Sequence, residues 1–311
     1  MKLRQLEYFV RIVDTGSVSR ASQSLHVAQP ALSQQINQLE DELGVKLMNR
    51  SVRGVSPTEA GMAVYRQAKL VLKQVEAVAL VARQAEQGPA GTVTIGLPWT
   101  VAAVLGLALL AEVGRALKAV RLEIVEGPSS VLASLLAEGK LEVAVLFDQP
   151  AQGGIDMQPV LSEALYFVGR RGALDGRKQM GLADIGAYPL LLMSRPNGIR
   201  ELVETRLALA GVRPHLAAEI NAPSLLMEAV EAGIGFAVLP ACGLEDRRQA
   251  GSVDAIALED GALRRTVFIG TSRLSPLSLA AEHVCAVLKK QMAAAVEEGR
   301  WNARLHPPVP A

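Results

Sequence analysis

Residues 17–43 read SVSRASQSLHVAQPALSQQINQLEDEL and predict two short helices joined by a tight turn. Ser17 is placed to cap the first helix, whose apolar positions Val18, Ala21 and Leu25 recur at helical spacing. His26 and Val27 make the turn. Pro30 falls in the first turn of the second helix, where the amide it lacks would have no partner. Leu32, Ile36, Leu39 and Leu43 keep a spacing of three to four and form a buried face. The opposite face carries Gln29, Ser33, Gln34 and Asn37, neutral hydrogen-bonding side chains of the kind that read base edges. Asp41 and Glu42 come only at the far end, away from the N-terminus that would face a phosphate. The pattern is a helix-turn-helix whose second helix suits a major groove.

The flanks agree. Residues 45–50 and 55–56 predict a short hairpin turning at 51–54, with Arg50 and Arg53 at its tip. Such a wing lays cations against phosphates. Upstream, Leu3, Leu6, Phe9, Val10 and Val13 make the apolar face of an opening helix, Arg4, Glu7 and Arg11 face outward, and Gly16 ends it.

The run LRQLEYFVRIVDTGSVSRASQSLHVAQPALSQQINQLEDELGVKLMNR, with RGVSPTEAG after it, covers 3–61 without a gap. It resembles the winged helix-turn-helix of the LysR-type transcriptional regulators, and AQPALSQQI…LE…LG is its most specific part. The resemblance implies a sequence-specific regulator that binds an interrupted dyad in double-stranded promoter DNA. Gln29, Pro30, Ser33, Gln34, Asn37, Arg50 and Arg53 would make the contacts. It implies further partners: a second copy of the chain (dimer, then homotetramer), RNA polymerase and a small-molecule effector.

Composition sets the frame. The 311 residues suit two or three domains, and half of them are apolar, ample for buried cores. No run of eighteen uninterrupted apolar residues occurs, so no membrane span is expected. The start, MKLRQLEYFV, reads as an amphipathic helix rather than a signal peptide, and two cysteines fit a reducing compartment; a cytoplasmic protein is expected. The net charge is +1, yet residues 1–87 hold 11 Lys+Arg against 8 Asp+Glu, while the remainder holds 21 against 23. A mildly basic module on a slightly acidic body favours local DNA contact, with specificity from base readout rather than bulk charge.

From Thr58 to Gly88-Pro89 the sequence predicts one long helix, roughly 45 Å at 1.5 Å per residue. Val64, Ala68, Val71, Val75, Val78, Ala82 and Ala85 recur in it at alternating spacings of four and three, a heptad seam that calls for a partner helix. The resemblance assigns it as the family's dimerising linker. The expected division is a winged helix-turn-helix domain over 1–58, the linker helix over 59–88, a regulatory domain over 89–300 and a tail over 301–311. Rich in proline, that tail reads as disordered from Asn302 onward.

Beyond the GPAG hinge at 88–91, strands at 92–97, 121–125 and 141–147 alternate with helices at 101–118 and 131–138. A second set follows: strands at 188–193, 216–220 and 235–239, and helices at 199–210 and 225–232. Alternation implies parallel pairing with right-handed crossovers. Extended segments at 158–168 and 264–270 are long enough to pass between two lobes, and an amphipathic helix at 277–296 closes the body. The fold class is therefore an α/β effector domain of two lobes, about 91–161 with 268–300 and about 162–267, preceded by the α-rich winged module. It resembles the periplasmic-binding-protein-like effector domain of LysR-type regulators, and AVEAGIGFAVLP at 229–240 is its most recognisable piece.

In such sheets ligands sit beyond the carboxyl ends of strands, against helix N-termini. That rule selects Trp99, Thr100, Ser129, Ser130, Phe147 and Asp148 from the first lobe, and Ser194, Asn197, Asn221 and Ser224 from the second. Ser129, Ser194 and Ser224 serve equally well as helix caps. Hydroxyls at helix starts favour an anion, whereas Asp148 opposes one and Trp99 takes up space. A ligand carrying both charges, an amine paired to Asp148, or no working site at all each resolve that conflict. Arg300-Trp301 near the end resembles the nitrogen-assimilation-control branch of the family, whose members need no co-inducer.

Enzyme chemistry finds no footing. His26, His215, His283 and His306 are scattered, and no phosphate loop, serine-nucleophile elbow or Cys/His metal cluster occurs. No cofactor and no metal are expected. Cys242 and Cys285 do not reproduce the motif of the family's peroxide sensors and read as buried thiols. The rival reading is a cytosolic small-molecule-binding protein or enzyme of binding-protein-like fold, which would not retard a promoter fragment in a gel.

Overall fold

The structure, a computed structural model, describes residues 1–51, 54–147, 154–174, 176–177, 179–242, 244–258, 263–273 and 277–307. The chain divides into two compact units, Met1–Gln87 and Gly88–Ala311.

In the first unit, α1 (Leu3–Thr15), α2 (Val18–Leu25) and α3 (Gln29–Leu43) enclose a core of Leu6, Phe9, Ile12, Ala21, Leu32, Ile36 and Leu39. Leu3 and Leu43, expected on buried faces, are 48% and 37% exposed, because each lies at a helix end beyond the reach of that core. Local chemistry sets the joints. Gly16 ends α1 at φ +63°, Ser17 Oγ accepts from the Arg20 amide, and His26 takes the left-handed conformation that turns α2 into α3. The wing is an antiparallel hairpin of β1 (Met48–Ser51) and β2 (Gly54–Pro57).

Helix α4 (Glu59–Gln87) follows. Thr58 caps it, accepting from the Gly61 amide at 2.9 Å and donating to the Lys46 carbonyl at 2.7 Å. Gly61 lies so close to the wing that a Cβ there would stand 2.0 Å from the Leu47 carbonyl oxygen, so only glycine fits. The seam along α4 is not uniformly free. Val64, Ala68 and Leu72 pack into the unit's own core, and the Tyr65 hydroxyl donates to Asp14 of α1. Val71, Val75 and Val78 remain exposed. The side chains of Ala82 and Ala85 lie outside the description.

In the second unit, parallel strands β3 (Gly91–Leu97), β4 (Val120–Glu126) and β5 (Val143–Phe147) alternate with α5 (Trp99–Ala116) and α6 (Ser129–Ala137). By length and apolar content α5 could cross a bilayer. Here Val101, Leu105, Leu109 and Val113 recur every four residues and seat it in the core of the sheet, as a core helix of an α/β domain does. The long β6 (Ile155–Arg170) then runs out of this lobe. The second lobe holds β7 (Gln179–Met180), α7 (Leu182–Ile185), β8 (Pro189–Leu192), α8 (Gly198–Leu209), β9 (His215–Glu219), α9 (Pro223–Glu231), β10 (Ala237–Pro240), α10 (Glu245–Gln249) and β11 (Val253–Leu258). The chain returns along β12 (Arg264–Ser272) and ends with α11 (Leu279–Glu297) and β13 (Ala303–Leu305).

Two strands cross between the lobes. β6 pairs with β12 up to Ala164 and with β10 and β11 from Leu165 onward, and the Leu165 amide donates to Leu263 at the crossing. Separate cores fill the two lobes, one around Leu97, Leu105 and Val145, the other around Phe167, Leu190 and Val203. The turn from α9 to β10 depends on glycine. Gly233 has φ +75°, and a Cβ on Gly235 would lie 2.7 Å from the Pro189 carbonyl.

Residues 302–307 correct the expectation of a disordered tail, whose last four positions lie outside the described residues. Trp301 is 1% exposed, and Ala303–Leu305 adds a strand against Leu161–Glu163 of β6. An indole of that size buried in the core fixes the residues after it, which proline content alone does not reveal.

Candidate nucleic-acid interface and effector cleft

Helix α3 buries Leu32, Ile36 and Leu39 completely or nearly so, which turns Gln29, Pro30, Gln34 and Asn37 outward and leaves Ser33 half-buried beside them. No side chain caps its N-terminus, so the first-turn amides remain open to a phosphate. Arg50 lies in β1 opposite Val55, with its side chain outside the description, and Arg53 lies outside the described residues altogether.

Sequence reasoning missed Glu40. Its carboxylate is 5% exposed and accepts from the Leu47 amide at 2.9 Å, the Met48 amide at 3.2 Å and Lys46 Nζ at 2.6 Å. It ties α3 to the wing. Burial alone would raise its pKa. The hydrogen bond from Lys46 and those from the two amides outweigh burial and hold it below the usual 4.5. The folded state therefore binds that proton more weakly than the unfolded chain. The stabilisation is fully present above the unfolded value and is lost as pH falls through the depressed one. Glu40→Gln should cost about 1–3 kcal/mol at neutral pH. Unfolding midpoints measured against pH should show the gap to wild type closing below about pH 4.5. A gap that persists undiminished in acid would show that the charge is irrelevant.

Between the lobes lies a cleft of about 400 Å³. Trp99, Thr100, Ser129, Ser130 and Phe147 line it from one side, and Asn197 and Asn221 from the other. Ser194 and Ser224 do not line it: Ser224 is exposed in the first turn of α9 and Ser194 is half-buried beyond the end of β8. Asp148 lies outside the described residues. None of the three serines that could equally have been helix caps is the N-cap of its helix. Pro128 occupies the N-cap of α6, and Ser129 Oγ accepts from the Phe147 amide at 2.9 Å. Asn197 does cap α8, accepting from the Arg200 amide at 3.0 Å.

Three charged residues on the cleft wall were not foreseen: Glu126, Glu201 and Arg265. Arg265 is 6% exposed; its guanidinium lies 3.4 Å from the ring centroid of Phe147, and Nη2 donates to Thr100 Oγ1 at 3.3 Å. Its Nε donates to Glu163 Oε1 at 2.5 Å. Glu126 and Glu201 stand exposed on opposite lobes, so the negative charge expected from Asp148 is present in the cleft from other residues. Arg200, close by, is occupied internally by Glu219 and Glu204. Burial lifts both thiols, Cys242 well above its ordinary range and Cys285 to about 11, so both are protonated and poorly reactive at neutral pH. Among the described residues no cluster of His, Cys, Asp or Glu could hold a metal.

Two family models match this architecture: the bacterial regulatory helix-turn-helix protein of the lysR family over residues 3–62, and the LysR substrate binding domain over 86–293. The chain belongs to the LysR family. This LysR-type chain is a DNA-binding transcriptional regulator rather than an enzyme, with an effector-binding domain behind its helix-turn-helix. It is similar to the nitrogen assimilation regulatory protein nac of Klebsiella aerogenes, 37% identical over 241 residues that cover 77% of this chain and 78% of that one. The regulator BbuR of Bordetella bronchiseptica is 29% identical over 98% of this chain and 93% of its own length. Among solved structures, a full-length OxyR variant from Pseudomonas aeruginosa matches with a TM-score of 0.75 at 23% identity, covering 100% and 99% of the two chains, which supports the fold.

Proposed function

We propose that this regulator binds an interrupted dyad near promoters as a dimer joined through α4, two dimers meeting through their effector domains. α3 enters the major groove and the wing lies along the backbone. The observation that carries this reading is the polar face of α3, uninterrupted by carboxylate and braced against the wing by Glu40. Exposed Val71, Val75 and Val78 support pairing of α4, and Leu107 and Leu110, 83% and 48% exposed on α5, support pairing of effector domains. The chain acts on the chromosome in the cytoplasm, and activation proceeds through RNA polymerase. Protection of promoter DNA from cleavage tests the reading directly. Gln34→Ala should lose roughly 1–3 kcal/mol against the preferred half-site and relax its sequence preference. Arg53→Ala should weaken all sequences alike and make the salt slope shallower by about one unit. A Gln34→Ala protein with unchanged preference would place the base-reading residues elsewhere.

The cleft favours a small metabolite that carries both charges. Arg265 and the first turns of α5 and α6 receive its anionic end, and Glu126 and Glu201 receive a cationic group. A second reading, regulation by abundance alone, is favoured by the pairing of Arg265 with Glu163, which already neutralises the cleft's one described arginine. Calorimetry separates them: a zwitterionic amino acid binds while a simple dicarboxylate does not, or neither binds.

A further inference from the structure

Glu163 lies on β6 just where that strand leaves the first lobe, and it is 1% exposed. Both of its carboxylate oxygens are engaged. Oε1 accepts from Arg265 Nε at 2.5 Å, and Oε2 accepts from Trp301 Nε1 at 2.7 Å and from Cys242 Sγ at 3.3 Å. The donors come from three separate parts of the chain: the returning strand β12, the segment after α11 and the turn that follows β10. Arg265 alone among them reaches the cleft, where it stacks on Phe147 and bonds Thr100. A chain of buried polar contacts thus runs from the cleft wall, through one carboxylate, to the segment that follows α11.

We propose that Trp301 is a positioning residue of the effector cleft: through Glu163 it fixes the guanidinium of Arg265 on the cleft wall, so that docking of the C-terminal segment and the arrangement of the cleft depend on one another. Three further contacts hold Trp301 in place. Ala303–Leu305 pairs with Leu161–Glu163, the His306 amide donates to the Val160 carbonyl, and Asn302 Nδ2 donates to the Tyr166 hydroxyl at 2.7 Å. They cover the edge of β6 at the crossing between lobes. A carboxylate buried this deeply keeps its position only while its donors surround it. Loss of the indole N–H leaves Oε2 only the weak thiol donor of Cys242 and lets the Arg265 pair shift with it. Loss of the guanidinium in turn removes the main partner of Oε1 and loosens Trp301 with the strand that follows.

The dependence can be read without any effector, by hydrogen exchange in the full-length protein. Arg265→Gln should raise exchange at the Ala303–Leu305 amides by about tenfold relative to amides of β4 in the same sample. Leu136→Ala, a core change in the same lobe but in a cluster that contains none of these groups, should leave that ratio unchanged. Replacing Trp301 by benzothienylalanine, its sulfur isostere, keeps the bicyclic ring and removes only the N–H; the protein should fold and should speed exchange in the first turn of α5, around Thr100. Exchange at 303–305 no faster in Arg265→Gln than in Leu136→Ala, or an unchanged first turn of α5 in the benzothienylalanine protein, overturns the proposal. It rests on the cleft being the effector site only for its meaning in regulation. A cleft that binds no metabolite leaves the exchange coupling intact, whereas a ligand-binding cleft without the coupling refutes this proposal alone.

Discussion

Val71→Glu should split the regulator's dimer and lower its affinity for promoter DNA steeply. Val71, Val75 and Val78 are 40%, 45% and 71% exposed on α4, although valine on a solvated helix has no reason to recur at seam spacing. In the proposed dimer two such helices pack together and bury the Val71 side chains in their seam. A carboxylate introduced there would sit unpaired in an apolar interface, at a cost of roughly 3–5 kcal/mol to association. That is roughly a hundredfold or more in the dimer constant. Each half-site contact is weak alone, so loss of the dimer also loses the gain from linking two of them. The folded monomer should be spared, because Val71 is not among the residues of the N-terminal core, in contrast to Ala68 one turn earlier. Sedimentation at micromolar protein with circular dichroism reads both parts. An intact Val71→Glu dimer with normal DNA affinity would place the interface elsewhere.

The contrast between positions 68 and 71 also shows what a sequence conveys and what it hides. The helix-turn-helix is legible because its signals are local. Ser17 caps within three residues, His26 and Gly44 turn within one, and Leu32, Ile36 and Leu39 show their period inside a single helix. The seam on α4 is legible as a period, yet the sequence does not say where its N-terminal turns stop serving the domain core and start serving a partner, since both uses ask for the same apolar residues. The cleft was legible through topology: the rule about strand ends found Trp99, Thr100, Ser129, Ser130, Phe147, Asn197 and Asn221. It could not find Arg265. That residue gains its place from Glu163, 102 positions away, and a pair of arginines at the head of a strand reads as edge charge. Glu163 in β6 and Trp301 past the last helix escape for the same reason. Strand β11, Val253–Leu258, went unread because Asp254 interrupts its apolar run, and the structure shows that carboxylate accepting from the Gly172 amide outside the sheet.

The buried pair itself should yield the second large effect. Arg265→Met removes the charge that faces Glu163 and keeps the volume beside Phe147, leaving a carboxylate 1% exposed with only an indole N–H and a thiol for partners. Breaking one side of a buried pair costs roughly 3–5 kcal/mol, a large share of any domain's stability. Glu163→Met alone should cost a similar amount, because Arg265 then faces the Thr100 hydroxyl and the Phe147 ring without a counter-ion. Replacing both should not add. An apolar pair of similar volume avoids both desolvation terms, and the double variant should retain a cost of only about 1–3 kcal/mol from the Trp301 N–H left without its acceptor. Chemical denaturation of the four proteins closes the cycle, and strong coupling between positions 163 and 265 is the expected result. Additive losses would mean that each side chain is held by its other neighbours and that the charge pair does not define the crossing. A further substitution decides what the residual cost is. Benzothienylalanine in place of Trp301 on the double variant removes the orphaned donor while keeping the bicyclic ring, so it should recover part of that 1–3 kcal/mol instead of destabilising further.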